Sequence, residues 1–390
     1  MSSRKIKVLI IDDSLLFRNV LKQELSKDPH IDVVGMAVDP IDAEDKIKDL
    51  KPDIITLDVE MPRMNGITFL KKLMRENPIK VVLVSSLNIS VFDALDAGAV
   101  DFVKKPDMSS KNELTNFYFE LSGKIKIAHI AKLKIRAVEN VGTGTGSEAG
   151  SFASTETNLS SKLGVNTNVG SNFSSTIVSN VQSTIAKSPI LSILNLGSLS
   201  SQQVIAIGAS TGGTEATLEI LKKLPKEVPG ILVTQHMPPG FTKMYADRLN
   251  KLCQMEVREA VNGDRLTAGL ALVAPGDKQM RLAKDAKGYF VRCLGEDKVS
   301  GHCPSVDVLF ESVSNTAGAN AIGIILTGMG KDGAEGMLKM KQKGAYTIGQ
   351  DQASCVVYGM PKVAYDIGGV QIQSPVTEIA NILIKQLNKK

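Results

Sequence analysis

The stretch VIAIGASTGGTEATLEIL, residues 204–221, shows most directly how this chain folds. Its first four residues form a continuous apolar run, typical of a strand that is buried on both faces. Its last eight residues have the apolar spacing of a helix, and the turn between the two segments contains Ser210 among three glycines. A buried strand that passes through a tight glycine turn into a helix is the repeating unit of an open parallel α/β sheet.

The same alternation continues through residues 201–390. Apolar runs at 231–234 and 322–326 predict further strands, each followed by a helical pattern. A β-rich insert is expected between them, with strands near 256–259, 270–273 and 289–294. We therefore predict a Rossmann-like, doubly wound parallel sheet for this part of the chain.

Residues 1–135 show a second α/β pattern. Five β-branched runs alternate with amphipathic stretches, which predicts another doubly wound sheet of the flavodoxin-like type. Residues 136–200 are instead dominated by Ser, Thr, Gly and Asn. Such a composition cannot bury enough apolar surface to offset its conformational entropy, so we expect a flexible linker there. The prediction is thus an α/β chain of two parallel-sheet domains.

Composition excludes several classes of protein. The 390 residues carry a net charge of only +5 and 4% aromatic residues, so a basic, aromatic nucleic-acid surface is not expected. The four cysteines form no CxxC pair, which argues against a disulfide framework or a zinc site. No apolar stretch approaches the length of a membrane span, and the N-terminal apolar run is too short for a signal peptide. We expect a cytoplasmic protein.

Polar residues end four of the predicted strands in the N-terminal half. They are Asp12 and Asp13, Asp58, Ser85, and the pair Lys104 and Lys105. The carboxyl ends of parallel strands meet at one edge, so these side chains should converge there. Three converging carboxylates require a cation, and an all-oxygen site with open positions suits Mg²⁺. A carboxylate beside that ion could attack a phosphoryl group, although each aspartate could instead cap a helix or a turn.

Ser210 has the sequence context of a nucleophile. It lies in G-x-S-x-G between a strand and a helix, where backbone N–H groups at the helix start can stabilise an oxyanion. A nucleotide-binding loop is the main alternative, but Ser210 replaces the middle glycine that a dinucleotide fold needs, and no lysine supports a Walker loop. Two other possibilities remain open: Cys355 as the nucleophile, and a binding module in which Ser210 only caps a helix.

A serine nucleophile needs a base and a carboxylate that orients it. His236 ends the strand after the one that carries Ser210, so it can lie beside the serine. Asp332 lies among glycines after the strand at 322–326, whereas Asp307 falls within a helix pattern. We therefore predict the triad Ser210, His236 and Asp332. This chain order differs from that of the α/β-hydrolase fold and indicates a separate lineage.

The first hundred residues resemble the response-regulator receiver family. The matching segments are IIDDS (10–14), TLDVEMPRMNG (56–66), VLVSSL (82–87) and DFVKKP (101–106). The resemblance implies that Asp58 is phosphorylated by a histidine kinase and that Asp12, Asp13 and Asp58 hold Mg²⁺. It further implies Ser85 as the switch hydroxyl, Lys105 as the lysine that pairs with the phosphoryl group, with Lys104 as a weaker candidate, and Phe102 as the rotamer switch.

Most of residues 203–365 resemble the catalytic domain of CheB-type chemotaxis methylesterases. The matching segments are IGASTGGTEA, QHMPPGFT, LVAPGDKQM, PSVDVLF, LTGMGKDGAEGM and VVYGMPKVA. The resemblance implies Ser210 as nucleophile, His236 as base, Asp332 as its orienter, and backbone N–H groups near Thr211 and Met329 as the oxyanion hole. Thr211 and Gln235 would support the site directly, without a cofactor. The implied substrates are methylated glutamates of chemoreceptors, which would be the only link to the membrane, and many members also deamidate glutamine.

Two positions depart from the family pattern. Gln279 stands where histidine is frequent, and Cys303 where arginine is frequent, so both could alter how substrate docks. The linker is also unusually long. The pairing of two complete sites in one chain predicts that the unphosphorylated receiver covers the Ser210 edge and that phosphorylation of Asp58 releases it. The sequence does not identify the receptor, the kinase or the oligomeric state.

Overall fold

The structure, a computed structural model, describes residues 4–61, 65–86, 90–133 and 202–389. The linker predicted for residues 136–200 lies outside these ranges, and its two boundaries with the flanking domains stay predictions. None of the helices in the described ranges has both the length and the apolar character needed to cross a bilayer.

The N-terminal part contains one parallel sheet with helices between its strands. The strands are β1 Ile6–Ile11, β2 Ile31–Ala37, β3 Ile54–Asp58, β4 Lys80–Ser85 and β5 Asp101–Lys104, and the helices are α1 Leu15–Leu25, α2 Pro40–Leu50, α3 Gly66–Glu76, α4 Ser90–Asp96 and α5 Lys111–Ile130. The strand order is β2-β1-β3-β4-β5. Helix α1 begins after Ser14, whose side chain accepts a hydrogen bond from the N–H of Phe17. This is the doubly wound sheet that the sequence predicts.

The C-terminal part contains a larger parallel sheet and a separate hairpin. The strands are β6 Val204–Ala209, β7 Gly230–Gln235, β8 Glu256–Glu259, β9 Leu270–Val273, β10 Met280–Asp285, β11 Gly288–Cys293, β12 Ala321–Ile325, β13 Tyr346–Gln350 and β14 Ile372–Ser374. The helices are α6 Gly213–Leu221, α7 Phe241–Leu252, α8 Val306–Ala317, α9 Ala334–Gln342, α10 Met360–Asp366 and α11 Val376–Leu387. The order in the sheet is β14-β13-β12-β6-β7-β9-β8, and all its pairs are parallel. The predicted fold class is confirmed.

The insert expected after α7 is divided differently. Strands β8 and β9 extend the main sheet at one edge, and only β10 and β11 form an antiparallel hairpin of their own. Strand β10 was missing from the predicted elements. Its sequence, MRLAKD, carries three charged residues, and Met280 and Leu282 are its only fully buried side chains, so the apolar signal is weak.

The strand order brings three loops together at one edge. Strand β6 lies between β12 and β7, so the residues that follow these three strands become neighbours. Helix α8 packs closely behind this edge, because an added Cβ at Gly208 would lie 2.1 Å from a methyl carbon of Val306. A side chain at position 208 would therefore push α8 away from β6.

Candidate active site

Ser210 lies in a sharp turn between β6 and α6. Its N–H donates to the carbonyl oxygen of Thr327 at 3.0 Å, and its carbonyl oxygen accepts from the N–H of Gly213 at 2.7 Å. Gly212 has φ of +76° and precedes the first residue of α6. A residue with a Cβ adopts this conformation only at a cost, so glycine here allows the chain to turn directly from strand to helix. The chain therefore makes the strand-to-helix turn that the sequence predicts around Ser210.

A second glycine lets the loop after β12 close on the serine. An added Cβ at Gly328 would lie 2.7 Å from Cβ of Ser210 and 2.3 Å from the sulfur of Met360. Both separations are far below van der Waals contact, so a larger residue must displace one of its neighbours.

Gly328→Ala is expected to lower any activity that depends on Ser210 by about 100-fold, since a shift of about 1 Å in a reacting group costs this much. The rate should be measured together with the melting temperature, which separates misplacement of Ser210 from unfolding. Gly123→Ala is the matched control, because a Cβ added there lies more than 4 Å from every described atom outside its chain neighbours and the backbone of its own helix. Equal activity of the two variants would contradict the close approach.

His236 and Asp332 form a buried pair. Nε2 of His236 lies 2.7 Å from Oδ2 of Asp332, and the two side chains are 7% and 2% exposed. A carboxylate can only accept, so Nε2 carries a hydrogen, and in the neutral form of the ring Nδ1 has the free lone pair. Nδ1 is buried and has no hydrogen-bond partner within the described ranges. The ring therefore offers a base through Nδ1, the reverse of chymotrypsin-type triads, where the carboxylate holds Nδ1.

The first turn of α8 holds the carboxylate of Asp332. The hydroxyl of Ser305 donates to Oδ1 at 2.7 Å, the N–H of Val306 to Oδ2 at 2.8 Å, and the N–H of Asp307 to Oδ1 at 3.0 Å. Burial by itself would raise the pKa of Asp332, but the hydrogen bond and charge of His236 and the two backbone donors hold that pKa below its usual value. The contribution of Ser305 is absent from the sequence-based prediction, although a serine directly before a helical pattern signals a cap.

The two residues expected to form the oxyanion hole are suitably unengaged. Neither Thr211 nor Met329 uses its backbone N–H as a donor in the hydrogen bonds of the described residues. Gln235 donates from Nε2 to the carbonyl oxygen of Ser210 at 2.8 Å, which steadies the turn around Ser210. The side chain of Met329 is 43% exposed and lies at the surface of this edge.

A second histidine belongs to the site and was not anticipated. The rings of His302 and His236 are stacked, with centroids 3.6 Å apart and planes 9° from parallel. His302 lies in an irregular stretch of the sequence, where no periodicity predicts the direction of its side chain. The carbonyl oxygen of His302 accepts a hydrogen bond from Nε2 of Gln279 at 3.1 Å.

The two departures from the family pattern both lie near this loop. Gln279 is 1% exposed, donates to the carbonyl oxygens of Asp297 and His302, and accepts from the N–H of Ser305. It therefore holds together the segments that carry His302 and Ser305. Cys303 is half-buried, with its sulfur 3.8 Å from the carbonyl oxygen of Gly295. The alternative nucleophile Cys355 is 2% exposed, so an ester cannot reach it.

The acidic residues at the N-terminal sheet also come together. Ligand oxygens of Asp12, Asp13 and Asp58 lie within 4.8 Å of one another. Nζ of Lys105 lies 2.6 Å from Oδ2 of Asp58 and 2.8 Å from Oδ2 of Asp12, whereas Lys104 is exposed. Burial raises the pKa of Asp58, as does the charge of Asp12, although Lys105 opposes the shift. An additional cation among these carboxylates would relieve their repulsion.

Ser85 ends β4, the strand that pairs with β3 and its last residue, Asp58. Its hydroxyl is fully buried and has no hydrogen-bond partner among the described residues. An orphaned buried hydroxyl is costly unless a ligand completes its bonds, and a phosphoryl oxygen could do so. The donor set therefore fits Mg²⁺ and a phosphorylated aspartate.

The N-terminal part contacts the edge that carries Ser210. The hydroxyl of Thr211 donates to Oδ2 of Asp101 at 2.5 Å, and the ring of Phe102 lies 4.6 Å from that of Phe241. Arg248 contributes a charged contact, pairing with Asp96 of α4 at 2.5 Å and Glu215 of α6 at 3.1 Å.

The loop at Val356 provides an apolar part of the same contact. Val356 and Val357 belong to a core cluster with Phe117 and Leu121 of α5. The N–H of Lys132 donates to the carbonyl oxygen of Val356 at 2.9 Å.

Comparison with known proteins identifies the family. Residues 205–383 match the family model of CheB methylesterase, and residues 8–116 match that of the response regulator receiver domain. A protein-glutamate methylesterase/protein-glutamine glutaminase 2 of Syntrophomonas wolfei is 48% identical over 391 residues, which cover 100% of both chains. The chain belongs to the CheB methylesterase family. This membership favours a hydrolase with a receiver domain over the nucleotide-binding and non-enzymatic alternatives.

Other members of the family are similarly close. A protein-glutamate methylesterase/protein-glutamine glutaminase of Syntrophotalea carbinolica is 44% identical, covering 97% of this chain and 98% of its own. The crystal structure of the Thermotoga maritima CheB methylesterase catalytic domain is 37% identical, covers 48% of this chain and 99% of its own, and has a TM-score of 0.47.

Proposed function

We propose that Ser210, His236 and Asp332 hydrolyse glutamate methyl esters on chemoreceptors. The observation that carries this proposal is the free Nδ1 of a histidine whose Nε2 is bound to Asp332, at the same sheet edge as the serine turn. Nδ1 takes the proton of Ser210 as its oxygen attacks the ester carbonyl, and the N–H groups of Thr211 and Met329 bind the oxyanion. The proton then passes to the leaving methoxide as methanol. Water hydrolyses the acyl-enzyme by the same route and releases glutamate.

The same machinery would deamidate glutamine at receptor sites. An amide carbonyl passes through the same type of tetrahedral intermediate, and His236 would protonate the leaving nitrogen, which departs as ammonia. The name shared by the relatives, which includes protein-glutamine glutaminase, supports this extension. The phosphodonor for Asp58 would be a histidine kinase of the chemotaxis system.

We further propose that the receiver domain inhibits the esterase until Asp58 is phosphorylated. Asp101 engages the hydroxyl of Thr211, the residue whose N–H would bind the oxyanion, and Phe102 packs on the first residue of α7. A phosphoryl group at Asp58 would recruit Ser85 and Lys105 at the ends of β4 and β5. Because Asp101 and Phe102 belong to β5, movement of that strand would break both contacts with the catalytic domain.

Methanol release from methylated receptor membranes tests the proposed function. The assay compares the wild-type protein with and without a small phosphodonor and uses Ser210→Ala as the blank. Release that depends on Ser210 and rises with phosphodonor is expected. Release that is equal in the blank, or a wild-type protein that is inactive under both conditions, would contradict the proposal.

Removal of Mg²⁺ is expected to separate the two domains functionally. In the receiver, the three aspartates can hold Mg²⁺ beside Lys105, and the ion would support phosphoryl transfer to Asp58. The proposed ester hydrolysis has no step that involves a metal. Chelation should therefore abolish both phosphorylation of Asp58, measured by intact mass, and the stimulated methanol release. The rate without phosphodonor should not change. A fall of that basal rate on chelation would contradict the prediction.

A further inference from the structure

His302 covers one face of the ring of His236. The centroid separation of 3.6 Å and the angle of 9° describe a nearly parallel stack in van der Waals contact. His302 is itself fixed by its loop. Its N–H donates to the carbonyl oxygen of Val299, its carbonyl oxygen accepts from the N–H of Val299, and Nε2 of Gln279 donates to the same oxygen. The stack therefore joins the ring of His236 to a loop whose position is set by these three hydrogen bonds.

The stack supplies a constraint that Asp332 cannot supply. One hydrogen bond at Nε2 fixes where that atom lies, but it leaves the ring able to tilt about the bond. Ser305, Val306 and Asp307 hold the carboxylate of Asp332 by hydrogen bonds. None of these three hydrogen bonds reaches the imidazole of His236. A flat contact on the ring face prevents the tilt and so sets the direction of Nδ1.

The surroundings also keep His302 uncharged. Burial, and to a smaller extent the charges of His236, Lys298 and Lys124, together lower the pKa of His302 to about 4, although Asp332 acts in the opposite direction. Lys298 precedes the loop and Lys124 comes from α5. At neutral pH the face presented to His236 is therefore a neutral π system. Such a face attracts a cation, whereas a protonated ring at the same distance would repel it.

We infer that His302 is a positioning residue for the general base: it holds the ring plane of His236 so that Nδ1 faces Ser210, and its neutral face stabilises His236 while that ring carries the proton. This inference rests on the proposed function for its kinetic consequence. The stacking itself can be measured without any substrate.

The kinetic test compares His302→Ala and His302→Phe in the full chain with phosphodonor present. His302→Ala is expected to lower kcat roughly 10- to 100-fold with little change in KM, because the reacting group is misaimed while substrate binding is retained. His302→Phe keeps a neutral aromatic face and should recover most of that loss. A full kcat in the alanine variant, a phenylalanine variant as slow as the alanine variant, or a change confined to KM would each overturn the inference.

An NMR measurement tests the stack independently of activity. The chain contains four histidines, so selective histidine labelling gives four ring signals, and His236→Gln identifies the one from His236. In the wild type that signal should carry a ring-current shift from His302, which the alanine variant loses and the phenylalanine variant retains. An unchanged signal in the alanine variant would overturn the stacking role. An inactive wild type with the expected shifts would instead reject the proposed function alone.

Discussion

Ser210→Ala is expected to lower kcat for methyl-ester hydrolysis by about 10⁴-fold or more. The substitution removes the atom that attacks the carbonyl and leaves the N–H groups of Thr211 and Met329 in place, so a small residual rate should remain. The serine hydroxyl takes part in none of the hydrogen bonds of the described residues, so the melting temperature should change little. Methanol release and thermal unfolding of the same preparation give both quantities.

Ser314→Ala is the matched control for this change. Ser314 lies in α8, is 2% exposed, and its hydroxyl has no hydrogen-bond partner among the described residues. It therefore undergoes the same chemical change in a buried setting away from the nucleophile turn, and its activity should stay near that of the wild type. If the Ser210 variant matched this control, the nucleophile would have to be sought elsewhere in the chain.

Asp332→Asn should produce a loss of similar size for a different reason. The side chain of asparagine has one acceptor oxygen, and its other terminal group is an NH₂ that only donates. This NH₂ group would face either Nε2 of His236 or the donors at the start of α8, which would lose their hydrogen-bond acceptor. The imidazole would then favour the tautomer with hydrogen on Nδ1, and that nitrogen could no longer take the proton from Ser210. Loss of the corresponding tautomer in a serine protease costs about 10⁴ in kcat. The unmatched donors should also lower the free energy of unfolding by about 1–3 kcal/mol.

The pH dependence of stability provides a second measurement on this variant. The pKa of Asp332 is held below its usual value in the folded chain, so its charged form contributes stability at neutral pH. That contribution is lost only as pH falls through the lowered pKa. The wild type should therefore be the more stable protein at neutral pH, and the gap to Asp332→Asn should close in acid. A gap that does not depend on pH would contradict the charge argument.

Asp307→Asn serves as the control for charge removal near the triad. Its carboxylate accepts from the N–H of Gly336 at 2.8 Å, and burial raises its pKa. The backbone N–H of residue 307, which binds Asp332, is unaffected by the substitution. Hydrolysis within a fewfold of the wild-type rate is expected. A large loss would indicate that the negative charge near the triad matters more than the tautomer of His236.

The sequence predicts the sheet edges well because parallel strands make their ends converge. Once β6, β7 and β12 are recognised as buried runs, residues after each strand must be neighbours, and this logic led to Ser210, His236 and Asp332. The same reasoning applies to Asp12, Asp58 and Ser85 in the receiver. At the end of β5, the strand alternation leaves Lys104 exposed and allows Lys105 to reach Asp58.

Contacts between irregular segments were not predictable in this way. The stack of His302 on His236 depends on a loop that Gln279 holds by a hydrogen bond. Neither His302 nor Gln279 lies in a periodic pattern of the sequence. Ser305 at the start of α8 donates to Asp332, which lies 27 residues further along the chain. Recognising Ser305 as a helix cap would therefore not have predicted its hydrogen bond to Asp332. Strand β10 was missed because its charged residues hide the alternation that marks a hairpin.

The valines at 356 and 357 impose a condition on activation. They pack among receiver side chains, and a Cβ added at Gly212 would lie only 2.6 Å from a methyl carbon of Val356, so the same loop braces the turn beside the nucleophile. Complete detachment of the receiver would wet both side chains, at about 1.5–3 kcal/mol for each fully buried valine. A rotation of the receiver that keeps the two valines buried, and breaks only the hydrogen bond between Asp101 and Thr211, avoids that penalty. The receiver would then have two roles: it would block the site through Asp101, and it would support the turn around Ser210 through the packing of Val356.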